Sequence, residues 1–124
     1  MEILRINVII DESYSVKGKC MVNMVLFHGE AHSDLFSGKI LPGGVDTQIY
    51  SEDKSLISAK YILEGTDKSG GQCRIFIHNR TSSDGKLRPA IITDSKSLAY
   101  LQDSRLWSEI IPTDDGVDIR ICEE

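Results

Sequence analysis

Leu56-Ile57-Ser58-Ala59-Lys60-Tyr61-Ile62-Leu63-Glu64-Gly65-Thr66 is the stretch on which the fold turns. Ile57, Ala59, Tyr61 and Leu63 fall on one face of an extended chain, opposed by Ser58, Lys60, Glu64 and Thr66. A period of two sends alternate side chains to opposite sides of a strand. Asp67-Lys68-Ser69-Gly70-Gly71 then reads as a hairpin connection, after which Cys73, Ile75 and Ile77 resume an apolar face. Two strands so joined lie antiparallel and share one buried surface, which makes this an all-β chain.

The same pattern extends outward in both directions. Toward the amino terminus, Leu4, Ile6, Val8 and Ile10 share a face opposite Arg5 and Asn7, and Asp11-Glu12-Ser13 reads as a break. Val16 to His32 reads as one long strand, with Val22, Met24 and Leu26 on one face and Val25 and Phe27 on the other. Leu35 to Leu41 is a short strand, closed by Pro42-Gly43-Gly44, the strongest turn signal in the chain. Toward the carboxyl terminus, Thr81 to Gly85 is a turn, and Ala90 to Thr93 is short and β-branched. Asp94-Ser95 is placed to cap a brief helix carrying Leu98 and Leu101. Leu106 to Ile111 and the alternating Val117, Ile119 and Ile121 complete the set. About eight strands, at most one short helix, no repeat and no linker predict a single domain over residues 1–124. Both a sandwich and a barrel fit that count. A small antiparallel β-barrel is preferred, because closure removes exposed edges and suits strands that are apolar on both faces.

Composition sets the outer bounds. The 124 residues are 40% apolar and 27% charged, enough for one packed core, and the net charge of −5 opposes a nucleic-acid surface. The amino terminus has no basic segment followed by an apolar run, and no apolar run approaches the length of a bilayer span. Cys20, Cys73 and Cys122 have no metal-type spacing, and each falls in a strand-like stretch as a small apolar residue. Reduced thiols and a cytoplasmic location are the expectation.

Several polar residues need a reason for their placement. His28, Glu30 and His32 form an H-x-E-x-H run, but on a strand the two imidazoles stand roughly 13 Å apart, so no metal site is expected. Asn79 either continues the inward face of Cys73, Ile75 and Ile77, where its amide would need partners, or belongs to the following turn. Tyr61 is inward on the neighbouring strand, and its phenol would seek a partner too. Asp46 and Gln48 follow the Pro-Gly-Gly turn; Asp46 either caps backbone there or points into a barrel mouth, where burial would raise its pKa. Tyr100 and Trp107 are candidates to line a pocket, or core residues. No nucleophile triad, phosphate-binding glycine loop or Cys-x-x-Cys pair appears, and no cofactor is implied.

Three segments carry a resemblance. Gly38-Lys39-Ile40-Leu41-Pro42-Gly43-Gly44-Val45-Asp46-Thr47-Gln48, then Ala59 to Asp67, then Gly71 to Asn79 together resemble the domain of unknown function 3237 family, also called uncharacterised protein family 0311. That family has a G-x-x-x-P-G-G-x-D-W-Q turn, a Y-x-x-x-T-x-D-G hairpin and an I-x-x-x-N-x-G strand. The resemblance implies a lipocalin-like or allene-oxide-cyclase-like barrel, and places Asp46, Gln48, Tyr61 and Asn79 on recurrent polar positions. Some fungal relatives are described as cyclising a small polyketide-like molecule without a redox cofactor. Thr47 stands where the family has Trp and Thr81 where it has Gly, so this chain reads as a divergent, short member.

The expected function is binding of a small, partly apolar molecule within the barrel. Asp46, Tyr61 and Asn79 would be the reacting groups of any isomerase or cyclase chemistry, with Gln48, Tyr100 and Trp107 as further ligand contacts. The alternative is a non-catalytic interaction or assembly module with a packed interior. The expected partners are a small-molecule ligand and, for self-association, a second copy, with neither nucleic acid nor membrane.

Overall fold

The computed structural model describes residues 1–124. Nine strands run β1 (Glu2–Lys17), β2 (Met21–His32), β3 (Phe36–Ile40), β4 (Val45–Tyr50), β5 (Ser55–Asp67), β6 (Gln72–Thr81), β7 (Leu87–Thr93), β8 (Leu106–Pro112) and β9 (Gly116–Glu123). The only helix is a 3-10 turn, Ala99–Gln102, between β7 and β8. No helix is long and apolar enough to cross a membrane.

All pairings are antiparallel, and β1 pairs with both β9 and β2, so the sheet closes on itself. β3 and β4 both lie between β2 and β5, one behind the other, so together they fill one position in the wall. The result is an eight-position up-and-down barrel with one wall strand interrupted at Leu41-Pro42-Gly43-Gly44. Gly43, at φ +107°, supplies the left-handed backbone the interruption needs. Across the lower part of that position Gly38 faces Gly65, and a Cβ on Gly65 would lie 2.0 Å from the Ser37 carbonyl oxygen. Only two glycines let β3 and β5 approach this closely.

Three readings of the sequence are corrected. Val16 to His32 is not one strand: β1 runs on to Lys17, and Gly18-Lys19-Cys20 turns the chain into β2, which leaves Cys20 in a turn. Asp11-Glu12-Ser13 does not end β1. It forms a bulge, since Ile10 pairs with Phe27 and Glu12 with Leu26. Val45–Tyr50, read only as the sequel to a turn, is a full wall strand. The remaining strands fall where alternation placed them, within a few residues.

The interior divides into two halves. At the end holding the chain termini and the 3-10 turn, Leu4, Phe36, Leu63, Ile75, Leu98, Leu101 and Ile121 are fully buried and fill the barrel. The Asp67 carboxylate fastens this plug. It accepts the Ser69 and Gly71 N–H groups at 3.0 Å each, and the Ser69 and Ser95 hydroxyls at 2.6 Å each. Ser95 Oγ in turn accepts the Leu98 N–H at 3.2 Å, so the β5–β6 hairpin and the helical turn are tied together. These donors, the Ser69 hydroxyl foremost, hold the Asp67 carboxyl far below the usual carboxylate range. The opposite half, under the β1–β2, β4–β5, β6–β7 and β8–β9 connections, is not filled.

Candidate functional site in the hollow half of the barrel

A cavity of about 480 Å³ occupies that half. Val8 and Ile10 of β1, Val25 and Phe27 of β2, Ile57 and Ala59 of β5, Leu87 of β7, Ile110 of β8, and Val117 and Ile119 of β9 make its wall apolar. Only three polar side chains interrupt it: Asp46, Gln48 and Asn79. The volume lies inside the range of about 300–1,000 Å³ over which proteins hold small molecules.

β4 explains how the polar groups come to be inside. Asp46 sits opposite Val25 and Ala59, which line the cavity, and Gln48 sits opposite Asn23 and Ile57. The strand is therefore inverted, with Val45, Thr47 and Ile49 turned outward and its polar residues inward. The Gln48 amide donates to Asp46 Oδ2 at 2.9 Å. Its own Oε1 accepts the Tyr50 hydroxyl at 3.1 Å, and Asn23 Nδ2 stands 3.5 Å away. Ser15 donates to Asn23 at 2.6 Å, which extends the polar stripe to the rim.

Two buried atoms in this region have no protein hydrogen-bond partner: Asp46 Oδ1 and the Tyr61 hydroxyl. Tyr61 is 3% exposed, and its ring meets Phe27 edge-on with centroids 5.5 Å apart. Burial raises the Tyr61 pKa, and the Asp46 charge adds to the rise, so the phenol stays protonated at neutral pH. Burial also raises the Asp46 pKa, opposed in part by the bond from Gln48. Asn79 does lie inward on β6, 1% exposed; its Oδ1 accepts the Ser108 hydroxyl at 3.0 Å, leaving its NH₂ free at the cavity wall.

The structure thus brings Asp46, Gln48 and Asn79 to one cavity; Tyr61 is not on its lining but lies buried beside a smaller hollow at Leu41-Pro42-Gly43-Gly44, near enough to feel the Asp46 charge. Tyr100 and Trp107 are not part of it. Tyr100 is 45% exposed and borders a groove beside the chain termini, at the filled end. Trp107 is half-buried on β8 and alternates with Leu106 and Ser108, so it faces outward. His28, Glu30 and His32 lie on the outside of β2, where His28 pairs with Asp11 at 2.7 Å and His32 with Glu30 at 2.8 Å. Ser108 and Asn23 went unread in the sequence. Ser108 was within reach of the period-two rule, since it shares the inward face with Leu106 and Ile110.

No family model matches the chain, and no curated protein matches it. Solved structures do. A protein of unknown function from Clostridium acetobutylicum ATCC 824 aligns at TM-score 0.79 and 18% identity, over 99% of this chain and 96% of that one. A beta-barrel-like protein from Acinetobacter baumannii AYE aligns at TM-score 0.75 and 13% identity, over 98% and 92%. An enzyme from Penicillium herquei aligns at TM-score 0.73 and 12% identity, over 99% and 91%. At such identities the likeness is one of fold.

Proposed function

We propose that the hollow half of the barrel binds a small, neutral, largely apolar molecule carrying one enolic, phenolic or carbonyl oxygen. The observation behind this reading is Asp46 Oδ1, buried and without a protein partner on the wall of an apolar cavity of 480 Å³, with the equally unpartnered Tyr61 hydroxyl buried near enough to feel the Asp46 charge. Leaving a buried polar atom unpaired costs about 1–3 kcal/mol, and such a cost persists where another molecule is meant to supply the partner. The resemblance to the domain of unknown function 3237 family, in which Asp46, Gln48, Tyr61 and Asn79 fall on recurrent polar positions, supports this reading, and one structural neighbour is an enzyme.

The same groups suit cofactor-independent proton transfer. Asp46, pushed up by burial, is a base closer to neutrality than an exposed carboxylate. Tyr61, held neutral, and the free Asn79 NH₂ can donate to an oxyanion formed on the ligand. Asp46 takes a proton from the carbon next to a carbonyl, the enolate oxygen is held by the two donors, and the proton returns at the same or another carbon. The probe is 2-tetralone in D₂O, followed by proton NMR. Exchange of its α-hydrogens at least tenfold above buffer, lost in Asp46→Asn, is the expected result. Equal exchange in wild type and Asp46→Asn removes Asp46 from the chemistry. Binding is tested separately by calorimetry with 2-naphthol and its methyl ether. Preference for the phenol, abolished by the cavity-filling Ala59→Phe, is expected, whereas binding that survives Ala59→Phe lies elsewhere.

A further inference from the structure

β1 is longer than the wall it belongs to. Its neighbour β9 begins at Gly116, opposite Ile9, and the last bond on that side joins the Ile10 N–H to the Asp115 carbonyl at 3.1 Å. From Glu12 to Lys17 the strand pairs only with β2, ending at Lys17 opposite Met21. Its other edge therefore carries unpaired backbone donors and acceptors, and every residue from Ile10 to Gly18 is exposed.

The outward face of this projecting hairpin is apolar. Tyr14 stands opposite Met24 and Val16 opposite Val22, and the stripe continues through Ile49 to Leu56. Tyr14 is 60% and Val16 71% exposed. An open edge bordered by apolar side chains is a surface that proteins normally blunt or cover. No proline blunts this one, and its charges stand only at its two ends, Glu12 and Lys17.

Charge identifies the cover. The edge is acidic at its start, Asp11 and Glu12, and basic at its finish, Lys17 and Lys19. Antiparallel pairing of the edge with itself sets each acidic end against the basic end of the other copy, twice over. Parallel pairing would set like against like. A two-fold axis produces the antiparallel arrangement without further adjustment.

We propose that two copies of this chain associate edge to edge through β1, about a two-fold axis at Tyr14, joining two barrels by one continuous sheet. In that register Ser13 meets Ser15 and Glu12 meets Val16. The Tyr14, Val16 and Met24 faces merge into one apolar strip.

The test uses two double variants at exposed positions, K17E/K19E with a wholly acidic edge and D11K/E12K with a wholly basic one. Sedimentation equilibrium of the wild type at about 50 μM should give twice the 13.8 kDa of one chain. Each variant alone should dissociate at least tenfold more readily, with unchanged circular dichroism. An equimolar mixture of the two should recover the dimer. A monomeric wild type overturns the proposal, and one that also sediments with phosphatidylcholine vesicles assigns the hairpin to a lipid surface instead. Variants that each dimerise as well as the wild type place the interface elsewhere.

Discussion

Replacing Tyr61 by Phe removes one oxygen and leaves the ring in its edge-on contact with Phe27. For a buried tyrosine whose hydroxyl is bonded, the change costs about 1 kcal/mol, the worth of the lost bond. Here the hydroxyl has no protein partner, so the sign reverses. Relief of the buried, unpaired group is worth about 1–3 kcal/mol, taken at its lower half because part of that penalty is recovered by local relaxation. The small void left by one oxygen subtracts about 0.3 kcal/mol, at roughly 24 cal/mol per Å³ of empty space. No charge changes, because Tyr61 is already neutral in the folded protein at pH 7. The expected net effect is a stabilisation of about 1 kcal/mol, or a melting temperature higher by about 3–5 °C for a chain of this size. Urea denaturation of both proteins at pH 7 without added ligand measures it, and the slope against urea should not change. A loss of 1 kcal/mol or more would show that the hydroxyl is already bonded in the free protein, and Asp46 Oδ1 would be left as the one unpartnered atom marking a ligand site.

Asp46→Asn should also stabilise the free protein at pH 7. The folded pKa of Asp46 is raised, so ionisation penalises the folded form as pH climbs from the unfolded value of about 3.9 toward the folded one. The advantage of the variant should shrink to nothing by about pH 3 in thermal melts, and an advantage independent of pH would contradict the assignment. Ser108→Ala strands Asn79 Oδ1 in the core and should destabilise by about 1–3 kcal/mol in the same urea assay. Asp67→Asn breaks the four-bond anchor of the plug. The folded pKa of Asp67 is depressed, so its contribution is complete above the unfolded pKa and is lost as pH falls below it. The melting temperature of the variant should therefore trail the wild type more at pH 7 than at pH 2.

The strands that the sequence reveals are those whose buried face obeys the period-two rule. β5 and β6 are legible because Ala59, Tyr61, Leu63, Ile75 and Ile77 are all buried on the inward face. β4 was hidden for the opposite reason. Its inward positions are Asp46 and Gln48 and its outward ones include Val45 and Ile49, so the hydrophobic pattern points away from the core. Such a violation is expected where a strand serves a site rather than the core. The bend at Gly18 was masked because the hairpin it closes is apolar on its exposed face, with Val16, Val22 and Met24 reading as a core pattern in solvent. Inward and outward are equivalent in a period-two pattern, and that ambiguity made Trp107 look like a pocket residue. Tyr100 looked like one for a different reason: no sequence signal tells which end of a barrel is hollow and which is plugged. Leu98 and Leu101 were read as a short helix, but only the fold shows that they fill the end at which Tyr100 lies.

The central claim is that the open half of the barrel receives a ligand at Asp46 and Tyr61, and a nitrogen–proton NMR titration with 2-naphthol tests it most directly. Shifts confined to β4, to β5 around Ala59 and Tyr61, and to β6 near Asn79, saturating in the wild type and absent in Ala59→Phe, are predicted. Shifts on the outer wall, or none at millimolar naphthol, would contradict the claim.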